Sequence, residues 1–360
     1  MKMKYFITIT LMIILIVLTG CGDPPTRETV REETIKIGVN APLSGPLAEY
    51  GIAIRNGLLW AQEDQKAQNF EFIFEDNEYD PKLAISAYQK LAEIDKVDLV
   101  IIFGNPTSET VAPLVDNTKV PVIAMATNTE LPSRSNYLVR ALPPASESSK
   151  KILEYLRTKR IKKIGIVKTQ NSYLNDIHKG LLEQKNQEET VELVDTFQWG
   201  DPDFRTTLAK IKQEDYEMLG VLLGAGQIAE FHKQAKEMNV IIPTFGTDFF
   251  ESISEVENAK GTMDKTVFPN FAVTAEFQKG YVQKFNSKSQ IAYAGNSYDI
   301  MVMITKEVNF ENPDTIIRSI KTIKDFEGKL GTYSYKEQGT DKYFNYPLFI
   351  RTVKIMELLL

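Results

Sequence analysis

Ser108 is the first residue whose setting suggests chemistry. It follows Gly104-Asn105-Pro106-Thr107 at the start of a helix entered from a strand, so its hydroxyl and the helix-start N–H groups face the strand ends and would welcome a carboxylate. Thr127, just after the strand ending Met125-Ala126, can add a hydroxyl and a backbone N–H to the same oxygens. The plainer alternative is a pair of loop caps bonded to their own backbones. Asp248 follows the strand ending Phe245-Gly246; an acid there is a turn former or, in a closed and water-poor cleft, a strong partner for a cation at a cost in desolvation. Tyr50, Tyr173 and Tyr293 offer apolar faces with a polar tip, suited to a pocket wall and equally to a core.

Other chemistry is poorly supplied. Gly224-Ala225-Gly226-Gln227-Ile228-Ala229 follows a strand and opens a helix, with Asp248 about 20 residues on; this formally fits a dinucleotide-binding fingerprint and leaves an exported NAD-dependent oxidoreductase as an alternative. His178 and His232 fall inside helical patterns without a carboxylate at metal spacing. There is no Gly-x-Ser-x-Gly elbow and no Walker loop, and no motif brings a histidine beside Ser44 or Ser108. The reading is a protein that is not an enzyme, with no cofactor and no metal.

Composition agrees. The 360 residues are ample for two domains, and 43% hydrophobic with 25% charged residues is the make-up of a globular chain. A net charge of −6, with no long basic block, disfavours nucleic acid. One Cys and two His exclude an internal disulfide and any site built on three imidazoles.

The N-terminus points to export. Lys2 and Lys4 precede an uncharged run from Tyr5 to Leu18, short of the roughly 20 residues a membrane-spanning helix needs and basic only at its front. The run closes on Leu18-Thr19-Gly20-Cys21, which resembles a bacterial lipobox, so Cys21 is the expected site of lipidation after removal of residues 1–20. Residues 21–33 contain the polar, Pro-bearing GDPPTRETVREE and read as a tether. The protein is expected in the cell envelope, anchored by lipid and facing the periplasm or exterior.

From residue 35 short β-rich apolar runs alternate with longer helical patterns, the mark of an α/β fold with parallel sheets. Strands are expected at 35–40, 70–75, 99–103, 120–125 and 137–140, with helices near 51–66, 81–93 and 107–116. After Leu142-Pro143-Pro144 the rhythm restarts, with strands at 163–168, 191–197, 218–223 and 241–246 between helices at 147–158, 174–186, 203–213 and 227–238. Helices at 275–285, 298–308 and 313–321 and a Gly-punctuated hairpin, 328–349, follow.

Pro42-Leu43-Ser44-Gly45-Pro46-Leu47-Ala48-Glu49-Tyr50-Gly51 after the first strand resembles the opening signature of the leucine/isoleucine/valine-binding protein family, receptors of type I periplasmic fold. Further similarities come in the family's order: Asp76 to Asp80-Pro81, the loop from Gly104 to Pro113, Ala126-Thr127-Asn128 with Glu130-Leu131, Asp203-Phe204, and Phe326-Glu327-Gly328 to Gly331. The resemblance implies two doubly wound parallel-sheet lobes joined by three crossing segments, near 143, 272 and 328. One lobe would be 34–143 plus 273–327, the other 144–272 plus 328–360, with ligand held between them at the strand ends.

By the same resemblance Ser108 and Thr127, with Ala126, hold an amino acid's α-carboxylate. Asp248 pairs with its α-ammonium, an Asp where the family typically has Glu, and Tyr50, Tyr173 and Tyr293 wall the pocket. Gly224-Ala225-Gly226 stands where the family often has an aromatic, so the pocket is expected to lose a wall. The function implied is capture of an amino acid or related small zwitterion and its delivery to the permease of an ABC importer. A receptor with the same cleft and a signalling partner is the alternative.

Overall fold

The computed structural model describes residues 34–338 and 341–353; the expected signal segment, Cys21 and the tether lie outside the described residues. Fifteen strands are seen among these residues: β1 (Ile35–Ala41), β2 (Phe70–Asp76), β3 (Leu99–Phe103), β4 (Val122–Met125), β5 (Leu138–Arg140), β6 (Lys163–Thr169), β7 (Thr190–Phe197), β8 (Met218–Leu222), β9 (Thr244–Phe245), β10 (Val267–Phe271), β11 (Phe326–Gly328), β12 (Gly331–Tyr333), β13 (Tyr335–Gln338), β14 (Asp341–Phe344) and β15 (Leu348–Thr352). They form two large sheets, in the order β13-β14-β5-β4-β3-β1-β2 and β15-β10-β9-β8-β6-β7, and a small β11-β12 ribbon. From β5 to β2 and from β10 to β7 every pairing is parallel. Such pairing needs crossover helices, which cover the sheets and bury runs such as Leu99–Phe103 on both faces.

Local signals explain the elements that carry the site. Asp80 accepts the Lys82 and Leu83 amides at 2.7 and 3.0 Å and Pro81 occupies the first helical position, so the helix Pro81–Gln89 starts where expected. Asn171 caps Ser172–Gln184 in the same way. The helix Ile291–Glu307 begins seven residues before the expected start. Residues 291–304 are all buried, so no polar face marks a period, and Ala-Tyr-Ala-Gly-Asn-Ser reads as loop. It packs against Ala48–Gln65 so closely that a Cβ at Gly57 would stand 2.1 Å from the Ala294 carbonyl oxygen.

Two further expectations are corrected. Strand β10 was not anticipated because Pro269 and Asn270 interrupt its pattern. It forms because β9 pairs with it only through Phe245 and Val267, so beyond that point one edge asks for no ladder donor. The third crossing, expected near 328, falls instead at 345–347. The hairpin β13-β14 joins the first sheet through Tyr343 beside Arg140, with the Arg140 guanidinium 5.0 Å from the Tyr343 ring, and β15 then pairs antiparallel with β10 in the second. The glycines at 328 and 331 shape the β11-β12 turn, whose Lys329 and Leu330 amides donate to Asp299 at 2.7 and 3.1 Å.

Candidate functional site

Asp248 lies at the carboxyl end of β9, in a short 3-10 turn, Asp248–Glu251, begun by Thr247. The turn packs so tightly that a Cβ at Gly246 would meet the Phe250 ring at 2.0 Å. Asp248 is 5% exposed and its carboxylate accepts three phenolic hydroxyls: Tyr173 at 2.5 Å on Oδ1, and Tyr293 at 2.8 Å and Tyr50 at 3.0 Å on Oδ2. Tyr50 and Tyr293 belong to the two packed helices of the first lobe and Tyr173 to the second, so the acid is tied from both sides. Burial pushes the Asp248 carboxyl up, against the opposing pull of the three hydroxyls; burial and the adjacent acid raise all three phenols well above their ordinary value. Among the described residues no Lys or Arg pairs with Asp248. A buried acid with neutral donors and no cation is a strong attractor for a small cation.

The opposite wall comes from the first sheet. Thr127, beyond the end of β4, has its amide bonded to Asn105 Oδ1 at 2.7 Å, and its hydroxyl lies 3.3 Å from the same oxygen. The Asn128 amide reaches it too, at 3.3 Å. The Asn105 amide oxygen therefore occupies the place that the expected carboxylate oxygen would take. Arg140, fully buried at the end of β5, donates to the Thr127 carbonyl at 2.5 Å and fixes the loop. The helix begins at Asn105, so Ser108 lies a turn further in than expected, its amide bonded to the Gly104 carbonyl at 3.1 Å. Its buried hydroxyl has no partner among the described residues.

Two small cavities of about 20 Å³ each separate these walls. Thr127, Tyr173, Asp248 and Tyr293 line both, and Ala126 and Asn105 line one; Ser108 and Tyr50 line neither. Each has room for about one water, so anything larger enters as the lobes part. Beyond Tyr79, which lines the inner space as well, opens a cleft of about 720 Å³ between the lobes.

The wall expected to be missing at Gly224 is present in another form. The Trp199 indole, from the loop after β7, lies on Gly224, where a Cβ would stand 2.9 Å from two ring carbons. Trp199 faces Tyr79 with centroids 5.8 Å apart and Phe249 at 6.4 Å. The dinucleotide alternative fails at the same place. The Glu255 carboxylate accepts the amides of Gly226 and, at 2.7 Å, Ala229, filling the helix start where a pyrophosphate would sit, while Asp248 is engaged with the tyrosines. His178 and His232 are both buried and pack within the second lobe, His232 bonded to the Ile228 carbonyl at 2.8 Å.

Next to Tyr50, Glu49 also crosses between the lobes. Its carboxylate accepts the Ile253 and Ser254 amides at 3.2 and 3.0 Å, the Ser254 hydroxyl at 2.6 Å and the Ser289 hydroxyl. It thus caps the helix Ile253–Ala259 of the other lobe. The sequence reading missed Glu49, Asn105, Arg140 and Trp199. Nothing local betrays any of the four: the side chain of Asn105, the first helical residue, turns to the Thr127 and Asn128 amides, and the partners of the others are likewise distant in sequence.

Comparison with known proteins places the fold. A family model described as periplasmic binding protein matches residues 34–354. The Leu/Ile/Val-binding protein of Escherichia coli K12 is 23% identical over 353 residues, covering 92% of this chain and 95% of its own. Among solved structures, a leucine-binding protein from Thermotoga maritima superposes with a TM-score of 0.80 at 17% identity, covering 89% and 95% of the two chains. A branched-chain amino acid transporter substrate-binding protein from Streptococcus pneumoniae, in complex with isoleucine, gives 0.79 at 24%, covering 90% and 97%. A solute-binding protein of an ABC transporter from Rhodopseudomonas palustris, in complex with 3,4-dihydroxybenzoic acid, gives 0.77 at 22%, covering 89% and 93%. The chain belongs to the periplasmic binding protein family and has its type I fold, two parallel-sheet lobes joined by three crossing segments.

Proposed function

We propose that this protein captures an amino acid or a related small zwitterion between its lobes and delivers it to the permease of an ABC importer, anchored outside the cytoplasm by lipid on Cys21. The carrying observation is Asp248: a buried carboxylate at the lobe interface, held by Tyr50, Tyr173 and Tyr293 and lacking a cationic partner among the described residues. A ligand ammonium supplies that charge. The ligand carboxylate goes to the opposite wall, where Thr127, next to Ala126 in the cavity lining, offers its amide and hydroxyl once Asn105 swings aside. Charge complementarity at both ends selects the class, and closure of the lobes excludes water and strengthens both contacts. The relatives' reported ligands, isoleucine in one and an aromatic acid in another, support a small organic acid and divide on the ammonium.

Thermal unfolding of the full chain in detergent against amino acids, small amides and benzoates tests this reading, because a ligand bound only by the folded state raises the midpoint. A rise with amino acids supports it; a rise with benzoates alone overturns the role of Asp248. For the anchor, Cys21→Ala should move the protein from the membrane fraction to the soluble one.

A further inference from the structure

The two inner cavities, about 20 Å³ each, accommodate the charged ends of a ligand more readily than a bulky side chain. The space for a side chain lies outward, in the cleft of about 720 Å³, which has the size of an ordinary ligand pocket. Tyr79 stands between the two spaces and lines both. Its turn is held in a costly conformation: Glu78 and Tyr79 both take left-handed backbone angles, φ 48° and 63°, which an aromatic residue rarely adopts. The Asp76 carboxylate and the Asn77 side-chain oxygen hold it there by accepting the Glu78 and Tyr79 amides at 3.0 and 2.8 Å. The two acceptors thereby fix the Tyr79 ring between the inner and outer spaces.

Opposite stands Trp199, brought forward because Gly224 leaves room for its indole. The outer cleft is thus flanked by two aromatic rings, one from each lobe, 5.8 Å apart. Its charged lining residues are Glu78, Asp80 and Glu109; among the described residues no Lys or Arg lines it, the nearest cation by contact being Lys168, whose ammonium donates to the lining Asn175 at 2.7 Å. Aromatic faces attract cations, and acids of one sign in a cleft focus the field toward a positive group.

We propose that the ligand's side chain leaves the Asp248 cavity past Tyr79, lies against Trp199 and carries a positive charge, so that the preferred ligand is an amino acid with a long cationic side chain and not a branched aliphatic one. This rests on the proposed function above.

The test is titration calorimetry of the full chain in detergent with glycine, leucine, phenylalanine, glutamate, lysine and arginine. Expected is binding of arginine or lysine at least tenfold tighter than of leucine, with Trp199→Leu and Glu109→Gln each narrowing that gap several-fold. Quenching of tryptophan emission by arginine in the parent and its loss in Trp199→Leu, which retains Trp60, would place the side chain at Trp199. Leucine binding as tightly as arginine or lysine overturns this inference and leaves amino-acid capture standing. A cationic preference that survives both substitutions unchanged overturns the assigned route. If none of the six binds, capture of an amino acid falls, and this inference with it.

Discussion

Glu49 offers a perturbation that acts on closure without touching the inner cavities. Its carboxylate takes two amides and two hydroxyls around the start of the helix Ile253–Ala259, all but the Ser289 contact reaching into the other lobe. Hydrogen bonds net about 0.5 to 1.5 kcal/mol each, and this partly buried position belongs at the low end, so losing the three that cross the lobes in Glu49→Ala should cost the closed form about 1.5 kcal/mol. A ligand that requires the closed form then binds roughly tenfold more weakly. Because Glu49 lines neither cavity beside Asp248, the loss should be the same factor for every ligand. Calorimetry across several ligands measures that factor, and small-angle scattering of the unliganded variant should show a larger radius of gyration. Unchanged affinity and radius, or a loss confined to one ligand, would refute the reasoning.

Asn105→Ala leaves the Thr127 amide and hydroxyl without their acceptor, so the unfolding midpoint should fall, and a ligand carboxylate should restore part of it; the ligand-induced rise in Tm must then exceed the parent's, and an equal rise would show that Asn105 does not hold the carboxylate's place. Gly57→Ala puts a methyl 2.1 Å from the Ala294 carbonyl oxygen and 2.2 Å from Ser297 Oγ, so urea unfolding should show a loss of about 1 to 3 kcal/mol or more; no loss would mean that the helix pair is looser than described. His232 is held neutral by burial, its pKa lowered to about 4 from 6.5. Between those values the unfolded chain binds the proton more readily, so this group's contribution weakens as pH falls from 6.5, the full penalty of about 3 kcal/mol being reached below 4. His232→Gln should therefore lose less stability than the parent between pH 7 and 4.5, as read from urea midpoints.

The architecture was legible because its signals are local. Apolar runs such as Leu99–Phe103, the Asp80-Pro81 start and the Asn171 cap state strand and helix boundaries within a few residues. The short helix Ile253–Ala259 was not among the expected elements, although Ser252, whose hydroxyl accepts the Glu255 amide at 3.2 Å, has capping-box spacing from Glu255. What escaped depends on contacts remote in sequence. The Glu255 carboxylate turns to the neighbouring helix, Trp199 fills the space over Gly224, and the hairpin β13-β14 adds to the first sheet through Arg140 and Tyr343. Asp248 and its three tyrosines were all named, but as separate parts of a pocket. Their joint engagement on one carboxylate needs the packed interface to be seen.

The central claim is that Asp248 holds a ligand ammonium. Calorimetric titration of amino acids into the full chain and into Asp248→Asn tests it most directly, since Asn keeps the size and removes the charge. Breaking a buried charge pair costs about 3 to 5 kcal/mol, so the variant should bind its best amino acid roughly a hundredfold to several-thousandfold more weakly, with the fold intact by circular dichroism. Parent-like affinity in Asp248→Asn would contradict the account.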